Sequence, residues 1–182
     1  LSGVDTVVAA SGGALVGGLW AAGVPLEELC ELSLTKDFSS SFRPSLNTLA
    51  QTGGAITQQD YQEEVIKMMA HSLGEEQART LTLSQLQESL GKTVIFAVLR
   101  YGMRDLCRDT LGDTLWYLDP VNHPDLPLFQ AIAIACTIPG VVEPAIIPGF
   151  DGVFFDGALM NASPFAGSDP QETLAIRLVQ PV

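Results

Sequence analysis

The chain has 182 residues, 47% apolar and only 16% charged, which excludes a disordered segment and is long enough for one domain with a real core. Its net charge of −12 argues against nucleic acid and against simple adhesion to an anionic membrane, since both would repel it. No apolar run reaches the ~18 residues of a membrane span.

The first predicted element is a short, β-branched strand from Val4 to Ala10. Gly12 to Ala22 reads as a helix stopped by Gly23. Its small residues Gly13, Ala14, Gly17, Gly18 and Ala21 cost helix propensity, which predicts that this helix lies very close to a sheet. Pro25 opens a second helix to about Leu34, with Glu27 and Glu28 in its first turn. Phe38 to Gln59 is poor in charge and rich in Ser, Thr, Gln and Gly, and reads as a long loop or mobile cover. A helix follows from about Gln58 to Ser72 with Thr57 as N-cap. Thr82 and Gln85 make a capping-box pattern for another, ending at Gly91. Thr93 to Leu99 is a second buried strand and Leu115 to Leu118 a third. Pro127 starts an apolar helix from Leu128 to Thr137, which ends before Pro139. Ala145 to Ile147 and Val153 to Phe155 read as a hairpin around Gly149–Gly152, and Leu174 to Val179 as a last strand. Strands alternating with helices predict one α/β domain over residues 1–182, with a mostly parallel sheet covered on both faces. The start at Leu1, without methionine and a few residues before a strand, predicts a fragment or processed product, incomplete at its N-terminus. The three cysteines, Cys30, Cys107 and Cys136, lack metal-ligand spacing and read as buried free thiols.

The residue with most chemical content is Ser11, where the first strand meets small residues: Ala9-Ala10-Ser11-Gly12-Gly13. A strand that turns sharply onto a helix can hold a serine hydroxyl strained and exposed, as in the G-x-S-x-G nucleophile elbow. Here Ala9 replaces the first glycine. Gly12 would place its backbone N–H beside Ser11 at a helix N-terminus, where an oxyanion is stabilised. Equally, a serine at such a turn can be a plain small residue or N-cap. A serine nucleophile needs a base. The two histidines, His71 and His123, read as surface residues, and an Asp119–His123 pairing would crowd both groups into one short loop. Asp156 ends an apolar strand before Gly157 and is the better base, although an Asp-Gly pair is also an ordinary turn, as Asp151-Gly152 is read to be.

Three ordered blocks together resemble the patatin-like phospholipase family over almost the whole chain. The Ser11 segment with Ala21-Ala22-Gly23 and Glu27-Glu28-Leu29 is similar to the family's elbow and following helix. Ala131 to Gly140, followed by Glu143-Pro144, resembles its A-x-x-A-S-x-A-I-P helix end. Asp156-Gly157-Ala158, with Asn161 and Pro164, is similar to its D-G-G/A motif. The resemblance implies a three-layer α/β/α fold related to the α/β-hydrolase architecture. It implies a Ser11–Asp156 dyad that cleaves lipid esters, of phospholipid or acylglycerol, through an acyl-enzyme, without cofactor or metal. Apolar neighbours such as Phe154 and Phe155 would raise the Asp156 pKa by desolvation. The family's glycine-rich oxyanion loop lies upstream of the elbow and is outside this sequence. The expectation is therefore an intact lipid acyl hydrolase whose isolated segment is feeble or inactive.

The apolar stretch Gly140 to Phe150 reads as core and hairpin, or as an acyl-chain wall or lipid-meeting surface. The implied partners are a lipid substrate and a transient membrane or lipid-droplet surface, in a cytoplasmic or peripheral membrane setting. A different class of reading is a patatin-fold lipid-binding or interaction module that has lost catalysis, which the missing loop and Ala9 favour and the retention of both Ser11 and Asp156 opposes. A nucleotide-binding glycine loop fits poorly, because Gly12-Gly13 and Gly17-Gly18 match neither phosphate-loop spacing.

Overall fold

A computed structural model describes residues 3–35, 38–102, 115–161, 164, 169 and 172–174. Cys107 and most of the expected strand from Leu174 to Val179 lie outside the described residues. In chain order the elements are β1 (Thr6–Ala9), α1 (Gly12–Ala21), α2 (Leu26–Thr35), α3 (Phe38–Ser41), α4 (Leu46–Thr52), β2 (Gly54–Ile56), α5 (Gln58–Leu73), α6 (Glu75–Thr80), α7 (Leu83–Leu90), β3 (Thr93–Tyr101), β4 (Leu115–Leu118), α8 (Leu128–Ala135), β5 (Gly140–Val142) and β6 (Val153–Asp156). The class is α/β, a central sheet with helices on both sides, as expected.

The organising strand is β3. Its nine residues, TVIFAVLRY, are rich in β-branched and aromatic side chains suited to a buried pleat. β1 runs parallel to its first half, from Thr6 opposite Thr93 to Ala9 opposite Phe96. β6 runs antiparallel to its second half, from Val153 opposite Tyr101 to Asp156 opposite Val98. β4 is antiparallel and spans the middle, pairing Leu118 with Phe96 and Trp116 with Val98. Phe96 and Val98 thus spend one edge on β4, so β1 and β6 share the other edge. They approach each other tip to tip, with only Ala97 of β3 between their last partners. A separate parallel pair joins β2 to β5.

The small residues of α1 do what their spacing predicts. A methyl group on Gly17 would lie 2.7 Å from Val7 of β1, and one on Gly18 would lie 2.6 Å from Ile132 of α8. The helix is therefore wedged between the sheet and α8, which is apolar throughout its buried length. Helix ends follow their expected caps: Thr57 accepts from the Asp60 amide, and Thr82 and Gln85 form a reciprocal capping box. Gly91 closes α7 in the left-handed conformation.

Five expectations need correction. Cys30 is exposed rather than buried, while Cys136 is buried as expected. Residues 38–59 are not one long loop but hold α3, α4 and β2. Ser45 caps α4 by accepting from Thr48, and Gly53 ends it at φ 85°. β2 forms only because β5, far along the chain, supplies its partner, which local sequence cannot reveal. α6 was not foreseen; Arg79, bonded to Glu75 one turn back and to Glu63 of α5, helps to hold it. α8 stops at Ala135 rather than Thr137, where Ser11 takes the Ala135 carbonyl. The stretch Ala145 to Ile147 is not a strand: Ala145 makes a single antiparallel bridge to Phe154, and β6 pairs with β3 instead.

Candidate active site

Ser11 follows β1 by two residues, at the point where the chain must reverse into α1. Its backbone sits at φ 56° and ψ −138°, and it is the one non-glycine residue with positive φ among those described. An L-residue there carries strain of order 1–3 kcal/mol, which the surroundings must hold in place. They do so from both sides of the peptide. The Ser11 N–H donates to the Ala135 carbonyl at 3.0 Å, and the Ser11 carbonyl accepts from the Ala14 amide at 2.8 Å. Cys136 Sγ also donates to that carbonyl at 2.9 Å.

The substitution of Ala9 for glycine is accommodated. Gly13 and Gly17 face its methyl group at distances that would put an added Cβ 3.9 Å away, ordinary van der Waals contact. Gly12 opens α1, where a helix amide lacks an intrahelical acceptor, and a Cβ added to it would meet nothing within 4 Å. Open space beside a helix N-terminus suits a developing negative charge.

Asp156 arrives from the opposite direction at the tip of β6. It is 3% exposed. Its N–H donates to the Thr137 carbonyl at 2.8 Å, and its Oδ1 accepts from the Ala158 amide at 2.9 Å. The Ser11 hydroxyl lies within hydrogen-bonding reach of the carboxylate. Burial holds the Asp156 pKa above the ordinary aspartate value, partly offset by the hydrogen bonds from Ser11 and Ala158. Gly157 makes the approach possible: a Cβ there would stand 2.3 Å from the Ala97 carbonyl oxygen of β3. Ser11 and Asp156 are thus joined by the tip-to-tip arrangement of β1 and β6. Ala162 and Ser163, beyond this motif, lie outside the described residues.

Two neighbours were not singled out from the sequence as site residues. Tyr61, in the first turns of α5, lies beside Cys136 and near enough to Asp156 to feel its charge; burial, first of all, drives its pKa far above the phenol value. Burial likewise pushes the Cys136 thiol up to about 12, so it stays S–H at neutral pH. Cys136 belongs to a matched block, and that was the available signal. Nothing local marks Tyr61. The N-terminus of α5 is anchored nearby, with Gln58 donating its backbone N–H to Glu143 Oε2 at 3.1 Å and its side-chain amide to Thr137 Oγ1 at 2.7 Å.

The histidines stand apart. His71 is exposed at the end of α5, 3.9 Å from Glu28. His123 is not the surface residue expected; its ring is buried against Phe150 at 4.9 Å, and neither ring nitrogen has a hydrogen-bond partner. The Asp119 carboxylate caps the amides of Val121 and Asn122 rather than the ring. Asp151 is an exposed turn residue, as read. Among the described residues no three His, Cys, Asp or Glu side chains converge to hold a metal ion.

The site's chemistry is that of a strained hydroxyl beside a buried carboxylate with a free helix amide at hand. The comparisons agree with its setting. A structural neighbour is VipD from Legionella pneumophila, with a TM-score of 0.56 and 14% identity over 92% of this chain and 43% of that one. The chain therefore spans less than half the length of that neighbour, and the likeness shows the fold. A search of curated proteins finds no match. The sequence model described as Patatin-like phospholipase matches residues 2–167, a span that contains β1, Ser11, Asp156 and every described element between them, and the chain belongs to the patatin-like phospholipase family.

Proposed function

We propose that this protein is a lipid acyl hydrolase in which Ser11 is the nucleophile and Asp156 the general base. The observation that carries the reading is the Ser11 backbone, held at φ 56° with its hydroxyl in reach of a buried carboxylate. Asp156 accepts the Ser11 proton as Oγ bonds to the ester carbonyl carbon, and negative charge develops on the carbonyl oxygen beside the Gly12 amide. Collapse breaks the bond to the alcohol, which leaves with the proton from Asp156. Water then attacks the acyl-serine and gives a proton to Asp156; the bond to Oγ breaks, the acid is released, and Ser11 Oγ takes that proton back from Asp156. Burial of Asp156 makes it a stronger base than a solvated aspartate, which suits work near neutral pH.

Lipid rather than soluble ester is favoured by the rim. Ile138 and Val141 form one exposed apolar turn next to Thr137, whose carbonyl holds Asp156. Leu159 and Met160, also exposed, follow Asp156 directly. The sequence has no lysine or arginine from Asp109 to Ile176, so this face suits neutral or zwitterionic lipid and repels anionic surfaces. Among the described residues no helix is long and apolar enough to cross a membrane, and contact with a membrane or lipid droplet would be made through such a rim. A fluorophosphonate probe on the intact protein tests the reading. Labelling that Ser11→Ala abolishes, together with release of fatty acid from phosphatidylcholine or acylglycerol, is expected. A protein that binds these lipids but neither labels nor hydrolyses would instead be a binding module on the same fold.

A further inference from the structure

The strain at Ser11 needs a counterpart, and part of it comes from the C-terminal end of α8. The Ser11 carbonyl accepts from the Cys136 thiol at 2.9 Å, in addition to the α1 amides. Cys136 is the C-cap residue of α8, and the residue before it takes the Ser11 N–H. Both polar groups of the strained peptide are thereby tied to one helix end. Tyr61 of α5 lies beside this thiol. Tyr61 is itself braced by Phe42, whose ring stacks on it at 5.4 Å and 23°. Its helix is fixed at the start by Thr57, Gln58 and Glu143.

We infer that Cys136 is a positioning residue for the Ser11 elbow: its S–H donates to the Ser11 carbonyl from the same helix end that takes the Ser11 N–H, and these bonds hold the strained residue that presents the hydroxyl to Asp156. The inference rests on the reading of Ser11 as nucleophile for its catalytic consequence, but not for the pinning itself. Cys136 is suited to the task because its thiol, buried and kept protonated, remains a donor at every working pH. A thiolate would repel the Asp156 carboxylate and could not donate.

Two readouts on the intact protein test this. Cys136→Ala removes the donor, whereas Cys136→Ser shortens the bond reach but keeps an O–H donor at almost the same volume. Amide hydrogen exchange over Ala10–Leu15 is expected to rise about 10-fold in Cys136→Ala and to stay within about 2-fold of the parent in Cys136→Ser. Turnover of a phosphatidylcholine substrate is expected to follow the same order, through kcat with KM unchanged, because the thiol bonds the backbone of the elbow. Equal exchange in the alanine and serine variants would overturn the inference. So would equal kcat in an enzyme that labels with fluorophosphonate at Ser11, an outcome that leaves the nucleophile reading intact. If exchange separates the variants but the parent never labels, the pinning stands and the nucleophile reading falls.

Discussion

Two buried titratable side chains lie along β3, and they differ in company. Asp156, at the junction of β1 and β6, is 3% exposed and has the Ala158 amide, the Ser11 hydroxyl and a strained backbone beside it. His123, against Phe150 at the Arg100 end of the strand, is 5% exposed, its ring tilted 34° to that of Phe150, and neither ring nitrogen has a hydrogen-bond partner. That end is held by an apolar and cation–aromatic cluster: Phe150 lies edge-on to Trp116 at 6.2 Å, and Arg100 sits 5.1 Å above the Trp116 ring while its Nε donates to the Asp151 carbonyl. Burial alone shifts a pKa in both places. What separates a candidate site from a packed histidine is that at Asp156 the shifted group faces the Ser11 hydroxyl and an open amide, whereas at His123 it faces the Phe150 ring. A histidine as general base, the commonest partner for serine, is thereby absent from the described site for a geometric reason and not merely for lack of a suitable sequence order.

The comparison breaks first on activity. Ser11→Ala and Asp156→Asn should each lower kcat/KM for a lipid ester by about 10³-fold or more, while His123→Phe stays within about 3-fold, as measured on the intact protein under one assay. A His123 variant as damaged as the Asp156 variant, with its fold preserved by circular dichroism, would place the base at the wrong end of β3. Next comes Gly157→Ala, whose Cβ would meet the Ala97 carbonyl oxygen at 2.3 Å. It should destabilise the protein by about 3 kcal/mol in urea unfolding, because backbone has little room to give, and should depress kcat even well below the unfolding midpoint. Gly152→Ala, which meets the Tyr101 carbonyl oxygen at 2.6 Å at the other end of β6, should destabilise without that separate loss of turnover.

Ser11→Gly sharpens the strain half of the comparison. It removes the hydroxyl, so activity is lost, but it also relieves a positive φ; net stabilisation of about 1 kcal/mol is expected after the entropy glycine brings to the unfolded chain. Unchanged or lower stability would mean the elbow stores no strain. The smallest effects are those of pH. Burial lowers the folded-state pKa of His123, so the unfolded chain takes up the proton first. Its contribution is intact above the ordinary histidine value of about 6.5 and declines as pH falls through that value, until the folded ring is protonated as well. His123→Phe should flatten that part of the stability profile. Asp156 shifts the other way, and the acid limb of kcat/KM should lie above the ordinary aspartate value of about 3.9; a limb at or below it would show that the carboxylate is not buried when it works.

Much of this was legible in the residues because it is local. Val7 and Val8 running into Ser11 and then glycine specify a strand, a reversal and a helix within one stretch, and the caps at Thr57, Thr82 and Gly91 are each set by neighbours a turn away. The close approach of α1 could be read from its glycines, since nothing else explains a helix so costly in propensity. By contrast, β2 looked like loop because its partner β5 is remote, and His123 looked like a surface residue because only Phe150, brought in from another segment, covers it.

By itself, then, the sequence determined the α/β class, the elbow at Ser11, the turn at Asp156-Gly157 and, through three ordered blocks, the family. The tertiary structure alone decided that β1 and β6 end tip to tip on one edge of β3, that His123 packs on Phe150 apart from Ser11 and Asp156, and that the Cys136 thiol bonds the elbow. The physical reason is range. Strand, turn and cap preferences act between residues a few positions apart, whereas the distance between a hydroxyl and a carboxylate at opposite ends of the chain depends on which strand edges pair, and that is settled by the packing of the whole core.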